Sequence, residues 1–149
     1  MKIAIGSDHA GFEIKGEINS FLKSLNIDFV DLGAHEFDSL DDYPDYAKSV
    51  GYAVRNNDVQ KGIIVCGSGV GASITANKIK GVRAGLCHDG YSAHQGVEHD
   101  DMNVLCIGSR IIGIELIKEI IISFINAKFS GEERHSRRLK KLLDIELSE

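Results

Sequence analysis

The sequence predicts a three-layer α/β/α sandwich built on a parallel sheet of five strands. Five short β-branched runs recur along the chain, and each is followed by a stretch whose apolar residues return at helical spacing. That alternation is the pattern of βαβ units rather than of hairpins. At 149 residues the chain has the usual length of one domain, so a single domain over residues 1–149 is expected. A hydrophobic content of 43% beside 26% charged residues belongs to a chain that buries a core rather than one that stays disordered.

The strands are expected at residues 2–6, 28–32, 62–66, 83–87 and 103–107. Between the first two, Ile14, Ile18, Phe21, Leu22 and Leu25 fall on one helical face; between the next two, Ala47, Val50 and Val54 make a weaker one. After the fifth strand, Ile117, Ile120, Ile121, Phe124 and Ile125 repeat the pattern within residues 113–128. Gly131 then breaks the chain before an extra, charged C-terminal helix over about 132–147, which is expected to lie outside the core. The only proline, Pro44, falls in an Asp-rich loop at 38–45. For the order of the strands, the flavodoxin-like 2-1-3-4-5 is the expectation.

Charge and apolar content narrow the partners. A formal net charge of -5 argues against a phosphate-backbone binder, which needs clustered Lys and Arg to release counterions, so no nucleic acid is expected. The oiliest stretch, 116–125, is interrupted by Lys118 and Glu119 and is too short to cross a bilayer. The first residues lack the apolar run and cleavage site of a secretory signal, so the expected address is cytoplasmic, without a membrane. Cys66, Cys87 and Cys106 are odd in number and lack zinc-type spacing, so neither a disulfide framework nor a metal knuckle is implied.

Parallel α/β sheets bind ligands at the carboxyl ends of their strands, where the next helices aim their N-termini. The residues there are Ser7, Asp8 and His9 after the first strand, then Gly67, Ser68, Gly69, Val70 and Gly71 after the third. His88 and Asp89 follow the fourth, and Gly108, Ser109 and Arg110 the fifth. In Cys66-Gly67-Ser68-Gly69-Val70-Gly71, three glycines let the backbone fold tightly enough to aim several amide N–H groups at one anionic oxygen. A thiol at that strand-to-helix turn stands where the thiolate is favoured, so Cys66 is a candidate base or nucleophile. Cys87 and Cys106, inside or at the end of their strands, read as buried apolar residues.

Other constellations leave alternatives open. Gly67-Ser68-Gly69-Val70-Gly71-Ala72 also fits a loose dinucleotide fingerprint with Asp89 near the next strand's end, although it follows the third strand and leaves no chain for a substrate domain. Glu98-His99-Asp100-Asp101 closes a helical stretch and holds a histidine able to move protons, or simply a helix-terminal histidine among solvated acids. His94, Glu98 and His99 could start a metal site but lack a third well-spaced ligand. On the last helix, Arg134, Arg138 and Lys141 share a face while Leu139, Leu142 and Leu143 form another. Such a face is solvated surface or a grip for a phosphate dianion.

Taken together, Gly6-Ser7-Asp8-His9-Ala10-Gly11, Asp42-Tyr43-Pro44, the Cys66 loop, Ala76-Asn77-Lys78, His99, Asn103-Val104-Leu105 and Gly108-Ser109-Arg110 resemble the ribose-5-phosphate isomerase B family, through Arg134-His135 and Arg138. The resemblance implies a Rossmann-like fold and an enzyme without metal or cofactor that interconverts ribose 5-phosphate and ribulose 5-phosphate through an enediolate. It implies a homodimer or a tetramer, with two active sites built across a dimer interface and the last helix reaching the neighbouring subunit. By that likeness Cys66 is the proton-shuttling base and His99 opens the furanose ring. Asp8 and His9 bind the sugar, Gly67, Ser68, Gly69, Val70 and Gly71 stabilise the enediolate, and Arg110, Arg134 and Arg138 hold the phosphate.

Two departures from the family pattern stand out. Many relatives carry asparagine after the ring-opening histidine, whereas this chain has Asp100, and an ionised aspartate cannot donate a hydrogen bond to an oxyanion. Ser68 stands where threonine is frequent and keeps the hydroxyl. The related galactose-6-phosphate isomerases divide their catalytic residues between two subunit types, whereas Cys66 and His99 are both present here. A sugar-phosphate sensing module on the same scaffold would have no use for a base beside an oxyanion loop.

Overall fold

The computed structural model describes residues 1–148. Five strands, β1 (Lys2–Ser7), β2 (Asp28–Asp31), β3 (Lys61–Cys66), β4 (Ala84–Leu86) and β5 (Val104–Gly108), form one sheet. Every pairing in it is parallel. The helices are α1 (Phe12–Ser24), α2 (Tyr43–Arg55), α3 (Val70–Ala76), α4 (Gly90–Asp100), α5 (Ile114–Asn126) and α6 (Glu133–Ser148).

Side chains of a strand alternate between faces, and the three inner strands use both. Ile3, Ile5, Ile63, Val65, Leu105 and Ile107 pack on one side against Ile18 and Leu22 of α1, Val97 of α4 and Ile117, Ile120, Ile121 and Phe124 of α5. Ala4, Ile64, Cys66, Val104 and Cys106 face the other way, against Ala47, Val50 and Val54 of α2 and Ala72 and Ala76 of α3. This is the three-layer sandwich expected from the sequence. Cys106 and Cys87 are buried and free, and burial pushes the Cys106 thiol far up and that of Cys87 up to about 11. Both are core residues.

The strand order is β2-β1-β3-β5-β4, so the expected 2-1-3-4-5 fails at its end. β5, not β4, lies beside β3, with Gly62 opposite Val104 and Cys66 opposite Gly108. Burial explains the exchange. All five residues of β5 are buried, whereas the three of β4 are partly exposed and include Gly85, so only β5 can fill a position covered on both faces. Pro44 also moves out of the loop and into the first turn of α2, where its missing N–H costs nothing.

The last helix lies outside both core clusters, as expected. Of its residues only His135 is buried, while Leu142, Ile145 and Leu147 are exposed. Among the described residues, no helix is long and apolar enough to cross a membrane.

Candidate active site

At the carboxyl edge of the sheet, Asp8, His9, Ala10, Tyr43, Cys66, Gly67, Ser68, Gly71, Arg110 and Ile111 line a cavity of about 400 Å³. The chain leaves β1 at Ser7 into a 3-10 turn, capped by Asp8, whose Oδ1 accepts from the Gly11 N–H at 3.2 Å. Burial raises the Asp8 carboxyl above its ordinary range, against the Gly11 N–H and His9, which pull it down. β3 ends at Cys66, which is 4% exposed and accepts from the Gly69 N–H at 3.1 Å through Sγ. That bend requires a positive φ of 78° at Gly69, a conformation glycine adopts without a Cβ penalty. At Gly71 a Cβ would collide with the Tyr43 ring, so absence of a side chain there is what lets Tyr43 close one wall.

The turn after β5 is laced to this loop. Ser109 N–H donates to Cys66 O at 2.8 Å and Arg110 N–H to Gly67 O at 3.1 Å, while the Ser109 hydroxyl reaches Ala10 O at 2.7 Å. Gly108 N–H donates to His88 Nε2 at 3.0 Å, which leaves the His88 proton on Nδ1. These bonds bring the Arg110 guanidinium over Gly67, in the cavity that Cys66 also lines. The edge thus offers a thiol, a loop of backbone amides and a cation around one opening.

The remaining candidates lie elsewhere. His99 sits in the last turn of α4, before β5 begins at Val104, whereas Cys66 is level with Gly108 at the far end of β5. Four residues of strand rise separate those levels by about 13 Å. There His99 stacks on His135, ring centroids 4.0 Å apart, and hydrogen-bonds Gln95 through Nδ1 at 2.8 Å. His135 meets the Ser130 hydroxyl at 2.6 Å through Nδ1, and its buried Nε2 has no partner. Arg134 and Arg138 are exposed on α6 beside that histidine pair, and Asp100 is exposed at the end of α4. So Asp8, His9, Cys66, Gly67, Ser68, Gly69, Val70, Gly71 and Arg110 gather in one place, and His99, Asp100, Arg134 and Arg138 in another.

The alternatives separate as well. Asp89 caps α4, accepting from Ser92 N–H and hydroxyl at 2.7 and 2.8 Å, and these bonds hold its carboxyl below the usual range; a ribose hydroxyl would have to displace them. His94 Nε2 and His99 Nε2 each lie 3.7 Å from Glu98 Oε2, yet among the described residues these three side chains do not gather into one group of mutually close ligand atoms. Among the described residues, the ligand atoms that do cluster within 4.8 Å belong to Asp8, His9 and Asp41, and there His9 Nδ1 and Asp41 Oδ1 already engage one another at 2.7 Å. Asp41 has no assigned role in the sequence, falling only in the Asp-rich loop, and Tyr43 only a place in the Asp42-Tyr43-Pro44 motif. The nearest signal for them was an aspartate and an aromatic residue just ahead of a helix-starting proline.

Comparison with known proteins fits this geometry. A sequence model described as ribose/galactose isomerase matches residues 3–142. The chain is 43% identical over 145 residues to ribose-5-phosphate isomerase B of Escherichia coli, covering 97% of this chain and 96% of that one. A structure of Clostridium thermocellum ribose-5-phosphate isomerase B superposes with a TM-score of 0.95 at 41% identity, over 99% of each chain. The Mycoplasma genitalium ribose-5-phosphate isomerase B, solved with bound ribulose-5-phosphate, gives 0.93 at 41% identity over 99% of this chain and 97% of that one. With its fold and nearly its whole length matched, the chain belongs to the ribose/galactose isomerase family.

Proposed function

We propose that this chain interconverts ribose 5-phosphate and ribulose 5-phosphate through an enediolate, with Cys66 as the base. The observation that carries the reading is the thiol itself. Cys66 stands at the mouth of the glycine loop, its Sγ held by the Gly69 N–H at 3.1 Å, in a cavity that also holds Asp8, His9 and Arg110. Once the sugar ring is open, a thiolate there removes the C2 proton of the aldose, and the electron pair moves into the C1 carbonyl. The same proton returns to C1 while a hydroxyl proton passes between the two oxygens, so the substrate rearranges with no external oxidant or reductant. Loop amides aimed at the developing oxyanion are worth most in a partly buried site. Because the loop supplies them, Asp100 need not donate.

Ring opening is assigned to His99, which one chain cannot bring to its own Cys66. The separation of the two clusters supports a homodimer in which α4 and α6 of one copy complete the cavity of the other, Arg134 and Arg138 joining Arg110 on the phosphate. The exposed Leu142, Ile145 and Leu147 give α6 an apolar surface consistent with such a partner.

The test is interconversion of the two pentose phosphates by purified protein, with and without chelator, beside Cys66→Ala. Activity is expected to survive chelation and to fall about a thousandfold in the variant, within the range for loss of a general base. Exchange of the substrate's C2 proton with solvent that persists in Cys66→Ala would rule the thiol out.

A further inference from the structure

Resting on that reading of the cavity, we infer that Asp41 is a positioning residue for His9, holding Nδ1–H of its ring so that Nε2, when protonated, donates to an anionic oxygen of the bound sugar phosphate. Asp41 lies 32 residues from His9 and belongs to the loop that leads into α2. One carboxylate oxygen, Oδ1, accepts from the His9 backbone N–H at 2.9 Å and meets Nδ1 of the same ring at 2.7 Å. The pair fixes both the main chain and the ring of one residue. A carboxylate can only accept, so the shared proton belongs to Nδ1. Nε2 is then the one polar ring atom free to meet a ligand in the cavity that His9 lines. On its other side the ring meets Phe37 edge-on, centroids 6.4 Å apart, and Phe37 in turn leans on Phe12. The side chain of Asp41 is only 7% exposed, against 30% for that of His9, so the charge sits behind the ring and not in competition with the ligand.

The surroundings favour the imidazolium. The Asp41 hydrogen bond, outweighing the cost of burial and helped by the charge of Asp8, raises the His9 pKa above its ordinary value. Desolvation works against the Asp41 carboxylate, yet the His9 N–H groups and the Tyr46 hydroxyl hold its pKa below the usual range. The groups facing His9 are thus Asp8 on its own turn and Asp41 from the loop, with Arg110 across the cavity as the opposing cation. A protonated His9 binds a phosphate or enediolate oxygen through a charge-assisted bond. That contribution is complete at low pH and disappears as pH rises through the raised pKa of the folded protein.

The experiment follows His9 itself by its imidazole nitrogen and carbon resonances through a pH titration of the full chain, in the native protein, Asp41→Asn and Asp41→Ala, alongside steady-state kinetics with ribose 5-phosphate. The expected native ring keeps its proton on Nδ1 when neutral. Asp41→Asn should keep that tautomer through its amide oxygen but titrate at lower pH, and Asp41→Ala should lose both. KM for ribose 5-phosphate near neutral pH is expected to rise about tenfold in Asp41→Asn, the size of one weakened charge-assisted contact, with kcat changing less. The alkaline limb of kcat/KM should move to lower pH with it. His9→Asn separates the two ways of failing. If it raises KM while the Asp41 variants leave the His9 resonances and KM unchanged, the inference falls and the reading of the cavity stands. If His9→Asn itself leaves KM unchanged, the reading that His9 meets the sugar phosphate falls, and the inference with it.

Discussion

Around Cys66 the backbone is tied at every turn: Ser109 to Cys66, Arg110 to Gly67, Gly108 to His88, and Ser109 to Ala10 across the cleft. Around His99 the imidazole itself is tied only to a glutamine and a stacked histidine, while Ser130 N–H donates to Glu98 O and Arg83 holds Asp101, and Arg134 and Arg138 are exposed. The first region gathers the thiol, the glycine loop and one cation around an open cavity. In the second, Asp100 lines a cavity with Leu142 and Ile145 of α6, and His99 is not among the residues lining it. A chain whose proposed base and proposed ring-opening group lie apart makes sense if the second region finishes the first region of another copy, since a two-fold axis makes such an exchange reciprocal.

That contrast can be broken outright by mixing two inactive proteins. Cys66→Ala and His99→Asn are each expected to be nearly inactive as homodimers. Unfolded together and refolded at equal amounts, half the dimers carry one of each, and one of the two sites in such a dimer has both its cysteine and its histidine. Activity is therefore expected to recover to about a quarter of native, by the statistics of a two-fold assembly. No recovery, with exchange of subunits confirmed, would place both groups in one chain's site and undo the comparison.

A smaller effect tests why the first region is rigid. Lys15 is 3% exposed, and its ammonium donates to both Asp31 oxygens at 2.7 and 2.6 Å and to Ala34 O at 2.8 Å. The Gly33–Ala34 segment in turn pairs with Ser7, next to Asp8, through Ser7 N–H to Gly33 O and Ala34 N–H to Ser7 O, each 2.8 Å. Lys15 thus braces the floor of the cavity from below. Lys15→Met leaves a half-buried carboxylate without its cation and should cost about 3 kcal/mol in urea unfolding at pH 7. Burial alone would raise the Asp31 pKa, but Lys15, the Gly33 N–H and Asn19 together lower it. A depressed carboxylate contributes stability above its unfolded pKa and loses it as pH falls through the folded value. The gap between native and variant should accordingly narrow on acidification below about pH 4. A constant gap down to pH 2 would mean that Lys15 acts by packing and not by charge.

The same contrast governs what the sequence discloses. The three inner strands, the glycine loop, α5 and α6 are local patterns and each stands within two residues of its expected place, whereas α2 begins at Tyr43, inside the expected loop. Strand order is not local: whether β4 or β5 lies beside β3 depends on which can be buried on both faces, and the half-polar β4 decides it only once the sheet exists. The partnership of His9 with Asp41 spans 32 residues and joins a motif to a loop with no periodicity, so nothing in the spacing announces it. His135 was legible as one member of a charged run, yet it is the one buried residue of α6, because it turns under the helix onto His99 while its charged neighbours turn out.

That buried histidine supplies the finest test, since acid works against its region, whereas the raised pKa of His9 in the braced region works the other way. Burial, then the nearby charges of His99, Arg134 and Arg138, hold the His135 pKa below its ordinary value, with Glu132 pulling the other way. A histidine kept neutral in the fold must take up a proton when the structure opens, so its region loses stability as pH falls through the ordinary value of about 6.5. The cost falls on the first turns of α6, held to the rest of the chain by this stack and the Ser130 hydroxyl, while its far end is held by Gly81 N–H donating to Glu146 Oε1 at 2.7 Å. Amide hydrogen exchange in the first turns of α6, corrected for the intrinsic pH dependence, should quicken between pH 7.5 and 5.5 while β3 and β5 stay protected. His135→Phe keeps an aromatic ring on His99 but has nothing to protonate, so the acceleration attributable to His135 should vanish in it. Acid acceleration that persists unchanged in His135→Phe would take the sensitivity away from His135 and leave the stack with His99 as a packing contact only.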